Sequence, residues 1–433
     1  MKNLVLLLVL ITALNSVAQK VLTFEEAVEW AMKNNFNLKV AQNEALMAKT
    51  NNTWGNAGML PNFSLNGSGN LSWNSTHQTY SDGTELDNNS LHTQTLSAGP
   101  ELNWTLFESG RIRITKSKLA ELEALGGIQL KDQVMQTLYD VTEAYYLVVK
   151  QNQQLRSLQE TINYNKERVK ITETAYQTGL KPKTDWLQAK IDLNVNIENS
   201  ITQQTSIDAS KRELNLLLGT DQGLDYQVAD SIPLANSLEE KQWFQLVDSV
   251  NTTIQYYQKQ VQVAQLALKE TNRSRLPSFS MSAGYGFSLT GNSSGSLLTN
   301  QNRGPKVGAF LSVPIYQAGD NQRKIQLAKI GLQTATDQLS FAKLSVQTAL
   351  QQTLSQYIQQ KQLWGIEKEN HLLAKENLEI CLQRLKLGQS TSLEVHQTQE
   401  DFEQSATRLI QFEYNLKLAE TKLKQLTAAL YLY

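Results

Sequence analysis

The chain of 433 residues has a formal net charge of −1, and only 19% of its residues are charged. Nucleic-acid binding requires a concentrated basic surface, so we expect no nucleic-acid partner. The single cysteine, Cys381, excludes a framework of disulfides within one chain.

The N-terminus has the pattern of a secretory signal peptide. Lys2 precedes an apolar run from Leu4 to Leu14, and a small-residue cleavage signal ends at Ala18. We therefore predict a signal peptide over residues 1–18. Beyond it, no apolar run reaches the roughly 18 residues expected of a membrane-spanning helix. If the mature protein crosses a membrane, we expect β-strands to do so.

Two pairs of glycines indicate an internal duplication. Gly179 and Gly388 lie 209 positions apart, and Gly110 and Gly319 are separated by the same 209 positions. Equal separations of this kind are typical of a tandem repeat. The predicted domains are a first repeat at 19–219, a linker at 220–238 and a second repeat at 239–433.

Each repeat contains one long stretch with the pattern of a continuous helix. Residues 110–178 and 318–387 contain no proline, and their apolar residues recur at alternating spacings of four and three. An interior proline would break a helix, and a seven-residue repeat is typical of left-handed helix packing. We predict two helices, each about 100 Å long. Shorter helices are predicted at about 23–57, 184–218, 239–273 and 392–430.

Before each long helix, apolar and polar residues alternate. Leu60–Trp73 and Leu276–Leu289 both open on Leu-Pro and continue with a period of two, which is typical of a strand with one apolar face. Return strands are predicted at about 96–107 and 306–316. The polar segments between the strands, 74–95 and 290–304, are predicted to be exposed loops.

Aromatic residues gather near the ends of these strands, as in the interfacial girdles of outer-membrane barrels. The predicted membrane girdle comprises Phe63, Trp73, Phe107, Phe279, Phe287 and Tyr316. Four strands cannot close a barrel in lipid, so several copies must share one barrel of 8, 12 or 16 strands. The alternative is a soluble pair of hairpins with an aromatic core.

The order of these features resembles the TolC-type outer-membrane efflux proteins, the outer membrane factor family. The resemblance rests on the signal peptide, the Leu-Pro strand openings, Ala144-Tyr145-Tyr146 in the first long helix, the Gly179 tip and the duplicated layout. It implies a mainly α fold with a small β part. Long helical hairpins would form an α-barrel tunnel, and a homotrimer would share a 12-stranded β-barrel in outer-membrane lipid.

The function implied by the resemblance is a channel of a tripartite efflux or type I secretion system. Such a channel is a passive exit duct with a long periplasmic extension, joined to a periplasmic adaptor (membrane fusion protein) and an inner-membrane pump. The alternative is a periplasmic structural coiled-coil protein that uses its β segments for assembly. No nucleophile, phosphate-binding or zinc motif is present, so we expect no enzymatic activity, metal or cofactor.

The resemblance also assigns roles near the two hairpin tips. The implied adaptor-docking residues are Gly179, Leu180, Gly388 and Gln389, and the implied gate residues are Asp185, Glu394, Gln397 and Leu385. Independently of the family, the two glycines are expected to cap helices in the left-handed conformation.

Glu394 has two interpretations that remain open from the sequence. Copies of Glu394 from several chains could form a ring that favours cations, or Glu394 could complete a capping box with Thr391. Where relatives carry an arginine and a second acid, this chain has Ser390 and Gln397. We therefore expect no latch between that arginine and an acid, and a weaker preference for cations.

Overall fold

A computed structural model describes residues 21–221, 223–234, 243–294 and 297–432. The predicted signal peptide lies outside these residues. The chain divides into two compact units. The first contains the described residues up to Glu44, Ile128–Gln255 and the chain from Phe341 onward, and the second contains Ala45–Gly127 and Tyr256–Ser340.

The described residues form helices and strands whose order repeats. The first series is β1 (Val21–Leu22), α1 (Phe24–Asn34), α2 (Phe36–Asn51), β2 (Asn62–Thr79), β3 (Glu85–Phe107), α3 (Arg111–Gln177) and α4 (Lys183–Leu218). The second is β4 (Gln227–Val228), α5 (Trp243–Val250), α6 (Thr252–Arg273), β5 (Ser278–Asn292), β6 (Thr299–Ser312), α7 (Asp320–Lys386) and α8 (Ser392–Leu426), followed by a short 3-10 helix (Ala429–Leu432). The domain boundaries at 220 and 238 stay a prediction.

The two long helices, α3 and α7, contain 67 residues each. They occupy almost the whole of the two proline-free stretches, which confirms the prediction of long unbroken helices. Each is followed by a shorter helix of 36 or 35 residues, α4 or α8, after a turn of a few residues.

The prediction of one continuous helix at about 23–57 was wrong, because the chain breaks at Asn35. The side-chain oxygen of Asn35 accepts a hydrogen bond from the Leu38 amide (3.0 Å), which caps the start of α2. Its side-chain nitrogen donates to the carbonyl of Leu217 at the end of α4 (2.8 Å). A buried asparagine therefore separates α1 from α2 and supplies a hydrogen-bond donor to the last turn of α4.

The second repeat has the same break at Asn251, so the prediction of one helix at about 239–273 was also wrong. Asn251 accepts from the Ile254 amide (3.2 Å) and donates to the carbonyl of Leu426 at the end of α8 (3.0 Å). The two repeats thus use one asparagine device at equivalent places. The predicted start of this helix at 239 lies outside the described residues.

The sheet of the second unit is antiparallel, with the strand order β2-β3-β5-β6. Phe63 pairs with Leu102, and Leu102 pairs with Ala283. Ala283 in turn pairs with Val307. Because alternate residues of a strand point to opposite faces, this register places most apolar residues of the four strands on one face, with Phe310 of β6 on the other. The predicted alternation is confirmed.

The prediction of an exposed loop at 74–95 was wrong. Strands β2 and β3 continue through most of this segment and meet in a tight turn, where the Tyr80 amide donates to the carbonyl of Thr84 (2.9 Å). Gly83 adopts a φ of 84°, which an Asp-Gly turn provides without steric strain. The hydrogen bonds between the two backbones therefore keep this segment in strand conformation although its residues are mostly polar. Similarly, β6 begins at Thr299 and ends at Ser312, which shifts the predicted strand at 306–316.

The core of the first unit surrounds Tyr145, which belongs to the Ala-Tyr-Tyr motif of α3. Tyr145 is fully buried, and its hydroxyl donates to the carbonyl of Leu22 in β1 (2.9 Å) and accepts from the Ala229 amide (3.2 Å). Strand β1 pairs in parallel with β4, which lies in the predicted linker. The linker is therefore packed into the core through Val228 and Ile232.

No helix in the described ranges combines the length and the apolar character that a membrane span requires.

Candidate functional site

The two hairpin tips have the same backbone turn. Gly179 and Gly388 have φ angles of 76° and 72°, the left-handed conformation expected of a helix cap. The amides of the next residues, Leu180 and Gln389, donate five positions back to carbonyls of α3 and α7, both at 2.8 Å. These are Schellman motifs, which satisfy the last carbonyls of each long helix. The prediction of two glycine caps is confirmed.

The second tip is held by charged and polar side chains around Glu394. One carboxylate oxygen of Glu394 accepts from Arg384 (3.0 Å), and the other accepts from Ser390 Oγ (2.7 Å). Hydrogen bonding from Ser390, together with the charge of Arg384, lowers the pKa of Glu394. The Glu394 amide donates to the Thr391 hydroxyl (3.1 Å), so half of the proposed capping box is present. The carboxylate itself contacts Ser390 and Arg384.

The first tip is held by aromatic contacts. The rings of Tyr176 and Trp186 are stacked at 5.8 Å with an interplanar angle of 10°. Lys190 lies over the Trp186 ring at 4.2 Å from its centroid, a cation–π geometry. Asp185 is half-buried in the first turn of α4. Equivalent turns are therefore fastened by different chemistry.

The remaining predicted gate residues occupy different environments. Leu385 is buried in a cluster with Leu378, Leu382 and Phe402. Gln397 is exposed on α8. The neighbouring Leu387 and Leu393 are 72% and 75% exposed, so both apolar side chains at this tip are accessible for contacts with another molecule.

A cavity of about 570 Å³ lies between the two hairpins at their tips. Its lining includes Ile171 and Leu180 from the first hairpin and Leu387 and Gly388 from the second. Across it, Lys386 forms an ion pair with Glu167 (2.5 Å). The predicted docking residues Gly179 and Gln389 are exposed beside this cavity.

Above the tips, a buried arginine connects three helices. The Arg168 side chain of α3 is 1% exposed and forms an ion pair with Asp192 of α4 (2.8 Å). It also donates to Ser392 Oγ (3.2 Å) and to Gln399 Oε1 (3.0 Å) of α8. Gln399 donates in turn to Asn165 (3.0 Å). The arginine therefore links the first hairpin to the first turns of α8.

Arg168 is not among the residues predicted from the sequence, although the pattern around it carries a signal. Thr161, Asn165, Arg168 and Thr172 follow one another at spacings of four and three, and each is at most 2% exposed. The helical repeat thus continues while its buried residues become polar. A search for apolar residues alone overlooks such a seam, because a buried polar network uses the same periodicity.

The predicted girdle residues lie in the second unit. Phe63, Phe107 and Phe279 lie at strand ends, as expected. Trp73 and Phe287 instead lie inside β2 and β5, because these strands continue further than predicted, and Tyr316 lies beyond the end of β6. Phe107 is opposite Phe279, and Phe287 follows on the same face of β5. Phe63, Trp73 and Tyr316 are 70%, 67% and 86% exposed. Phe63 and Trp73 are alternate-position residues of β2 and lie on its apolar face. Among the described residues, no cluster of His, Cys, Asp and Glu has the arrangement of a metal site.

A family model and two known proteins match the sequence of this chain. The family model described as "Outer membrane efflux protein" matches residues 27–220 and 243–429. The alkaline protease secretion protein AprF of Pseudomonas aeruginosa is 22% identical over 301 residues, which are 67% of this chain and 60% of AprF. The outer membrane protein TolC of Salmonella enteritidis is 24% identical over 286 residues, which are 62% of this chain and 55% of TolC. The matches thus span less than two thirds of either relative.

The solved structure of the outer membrane protein VceC of Vibrio cholerae has the same fold. It superposes with a TM-score of 0.77 at 15% identity, over 93% of this chain and 95% of VceC. The long hairpins and the antiparallel sheet therefore have the fold of VceC. The chain belongs to the outer membrane efflux protein family and is located in the outer membrane.

Proposed function

We propose that three copies of this chain form a passive exit duct of a tripartite efflux or type I secretion system. An inner-membrane pump would deliver solutes through a periplasmic adaptor into a helical tunnel, and a shared barrel would release them across the outer membrane. The cargo is set by the pump in this scheme.

One observation carries the proposal: the four-stranded sheet is incomplete as a membrane structure. In the described part of the chain, β2 and β6 are edge strands, each paired on one side only. The apolar face is open, with Phe63 and Val307 70% and 77% exposed. In lipid, unpaired backbone groups cost several kcal/mol each, so these edges need strands from other copies. Three copies supply the 12 strands that the family resemblance implies.

The exposed apolar side chains of α7 support assembly through the helices as well. Phe341, Ile366 and Leu372 are 72%, 59% and 62% exposed. These side chains of the 67-residue α7 are not covered by other parts of their own chain. Their burial against another copy would stabilise the assembly by about 25 cal/mol per Å² of apolar surface removed from water.

The gate remains a proposal with Asp185, Glu394, Gln397 and Leu385 as its candidates. Glu394 and Gln397 are accessible, whereas Leu385 already packs within its own chain. We propose that the exposed Leu387 supplies the apolar contact between copies at the constriction. Adaptor docking is proposed at Gly179, Leu180, Gly388 and Gln389, which border the cavity between the tips.

Cysteine cross-linking of the two edge strands tests the shared barrel. In a Cys381→Ser background, Ser68→Cys in β2 is combined in turn with a cysteine at polar-face positions of β6, at 300, 302, 304, 306 and 308. Oxidised outer membranes should give covalent species that stop at three chains. Two or four chains would indicate 8 or 16 strands, and a soluble protein without intermolecular cross-links would refute the proposal.

The matched control is Ser68→Cys with Ser97→Cys. These residues are direct neighbours in the register of β2 and β3. Their disulfide closes within one chain, so the same oxidation should leave the apparent mass of the denatured protein unchanged.

A further inference from the structure

The polar face of the sheet carries two opposite charges in a single row. Ser64 pairs with Glu101, and Glu101 pairs with Gly284. Gly284 pairs with Lys306. The row therefore reads Ser64, Glu101, Gly284, Lys306 across the four strands. Since neighbouring strands lie about 4.8 Å apart, the backbones that carry the two charges are separated by about 10 Å.

The residues next to this row are mostly small, so the two charged side chains are not covered by their neighbours. In the next row, Gly286 pairs with Gly304. The Lys306 side chain lies across Gly286, since a Cβ built on that glycine would come within 2.8 Å of Lys306 Cε. Asn66 Nδ2 donates to Glu101 Oε2 (3.1 Å) and orients the carboxylate. Because Gly284, Gly286 and Gly304 have no side chains, this part of the polar face is a low surface, or floor, from which the Glu101 and Lys306 side chains project.

A cavity of about 280 Å³ lies over this floor. Its lining includes Glu101, Gly284 and Lys306, together with serines of β3 and β5. Among the residues that the structure describes, neither Glu101 nor Lys306 forms an ion pair. Their charges are therefore directed at whatever occupies the space over the polar face.

We propose that Glu101 and Lys306 determine the charge preference of the barrel lumen at this level. The inference rests on the proposed function, because the polar face lines the lumen only if the apolar face contacts lipid. Three copies would then place a ring of three carboxylates and a ring of three ammonium groups close together along the lumen, displaced from each other by the tilt of the strands. Their net charge is zero, so this level favours neither cations nor anions, and it suits solutes that carry both charges.

The local potential is measurable with a cysteine reporter at Gly304. A Cβ at this position meets no atom within 4 Å, and Gly304 lies on the polar face beside the charged row. In Cys381→Ser cells, the thiol is labelled from outside by a cationic and by an anionic methanethiosulfonate reagent at low ionic strength. The ratio of the two rates reports the sign of the potential at the lumen wall. It does not depend on whether the periplasmic tips are open.

Each charge should shift this ratio in its own direction. A unit charge about 10 Å away in water changes each rate about twofold, and the two reagents respond oppositely. Glu101→Gln should therefore raise the anionic-to-cationic rate ratio about fourfold, and Lys306→Gln should lower it about fourfold. The double variant should return to within about twofold of the parent, and 1 M salt should remove all these shifts.

Arg303→Gln is the matched control, because Arg303 adjoins the reporter but pairs with Phe287 on the apolar face. It should leave the ratio unchanged. If cross-linked trimers form and the reporter is labelled, but Glu101→Gln and Lys306→Gln leave the ratio as in the parent, the inference is refuted while the duct stands. Absence of cross-linked trimers would instead refute the proposed function.

Discussion

Removal of the buried Arg168 side chain should loosen the tip region more than any exposed ion pair does. Arg168→Met keeps a long apolar side chain but leaves Asp192 without its buried cation and Gln399 without its donor. Breaking a buried ion pair in this way costs about 3–5 kcal/mol. Asp192 keeps contacts with Gln188 (2.8 Å) and His396 (3.2 Å), so we expect the lower end, about 3 kcal/mol.

Hydrogen exchange of the backbone amides in the tip helices measures this loss directly. A decrease of about 3 kcal/mol in the free energy of local opening accelerates exchange about a hundredfold, since every 1.4 kcal/mol is a factor of ten. The amides between 161 and 172 in α3 should show this acceleration in the assembled protein. Amides of the strands should exchange as in the parent.

Arg156→Met is the control on the same helix. Arg156 pairs with Asp230, and their side chains are 54% and 71% exposed. An exposed pair contributes about 0–1 kcal/mol, so exchange near Arg156 should change by less than about fivefold. If Arg168→Met and Arg156→Met accelerate exchange equally, the buried network does not hold the three helices together.

Three further predictions concern pH, docking and conductance. Burial raises the pKa of Glu403 above its ordinary 4.5, so its ionised form disfavours the folded state. The folded state is therefore most stable below pH 4.5, where Glu403 is protonated, and loses stability as the pH rises and Glu403 ionises. Because glutamine never ionises, Glu403→Gln should raise the thermal midpoint more at pH 8 than at pH 4. Gly388→Asn keeps a residue that tolerates positive φ but adds a side chain at the tip, so it should impair pump-dependent export and leave cross-linked trimers intact. In planar bilayers, Glu394→Gln should lower the cation-to-anion permeability ratio, whereas Arg384→Gln should raise it by unmasking the carboxylate.

Each of these predictions has an outcome that contradicts it. Glu198→Gln changes an exposed acid on α4 and should give the same small shift at both pH values; an equal response to Glu403→Gln would dismiss the burial argument. Loss of trimers in Gly388→Asn would make its effect structural. Unchanged ion selectivity in Glu394→Gln would remove this residue from the gate.

The long elements could be predicted from the sequence because each has a periodic signal over many residues. Proline placement and the seven-residue repeat define α3 and α7 almost to the residue, and the alternation after Leu276 defines β5. The breaks at Asn35 and Asn251 were not predictable in this way. They depend on contacts with helix ends that are 182 and 175 positions away in the chain.

At the candidate site, backbone features were more predictable than side-chain partners. A glycine after a helical pattern indicates a left-handed cap, and both tips have one. Which groups surround the Glu394 carboxylate depends on how α7 and α8 meet, so Arg384 and Ser390 could not be assigned. For the same reason, the polar seam around Arg168 was overlooked.

The two tips show what a duplicated hairpin conserves and what it varies. The Schellman turn is made by backbone donors and acceptors and one glycine, so it tolerates changes in the neighbouring side chains. The second tip has an ion pair, Arg384 with Glu394, whereas the first has the stacked Tyr176 and Trp186, each one position after the residue equivalent to a member of that pair. Salt screens exposed ion pairs but leaves aromatic stacking largely unaffected.

Added salt should therefore loosen the second tip selectively. Raising the salt concentration from 0.05 to 1 M removes most of the attraction in an exposed pair, which is about 1 kcal/mol at most. Amides at 384–394 should then exchange up to about fivefold faster, while those at 175–186 should change little. Equal acceleration at both tips would show that the ion pair does not fasten the second tip, and that the backbone turn alone sets the stability of both.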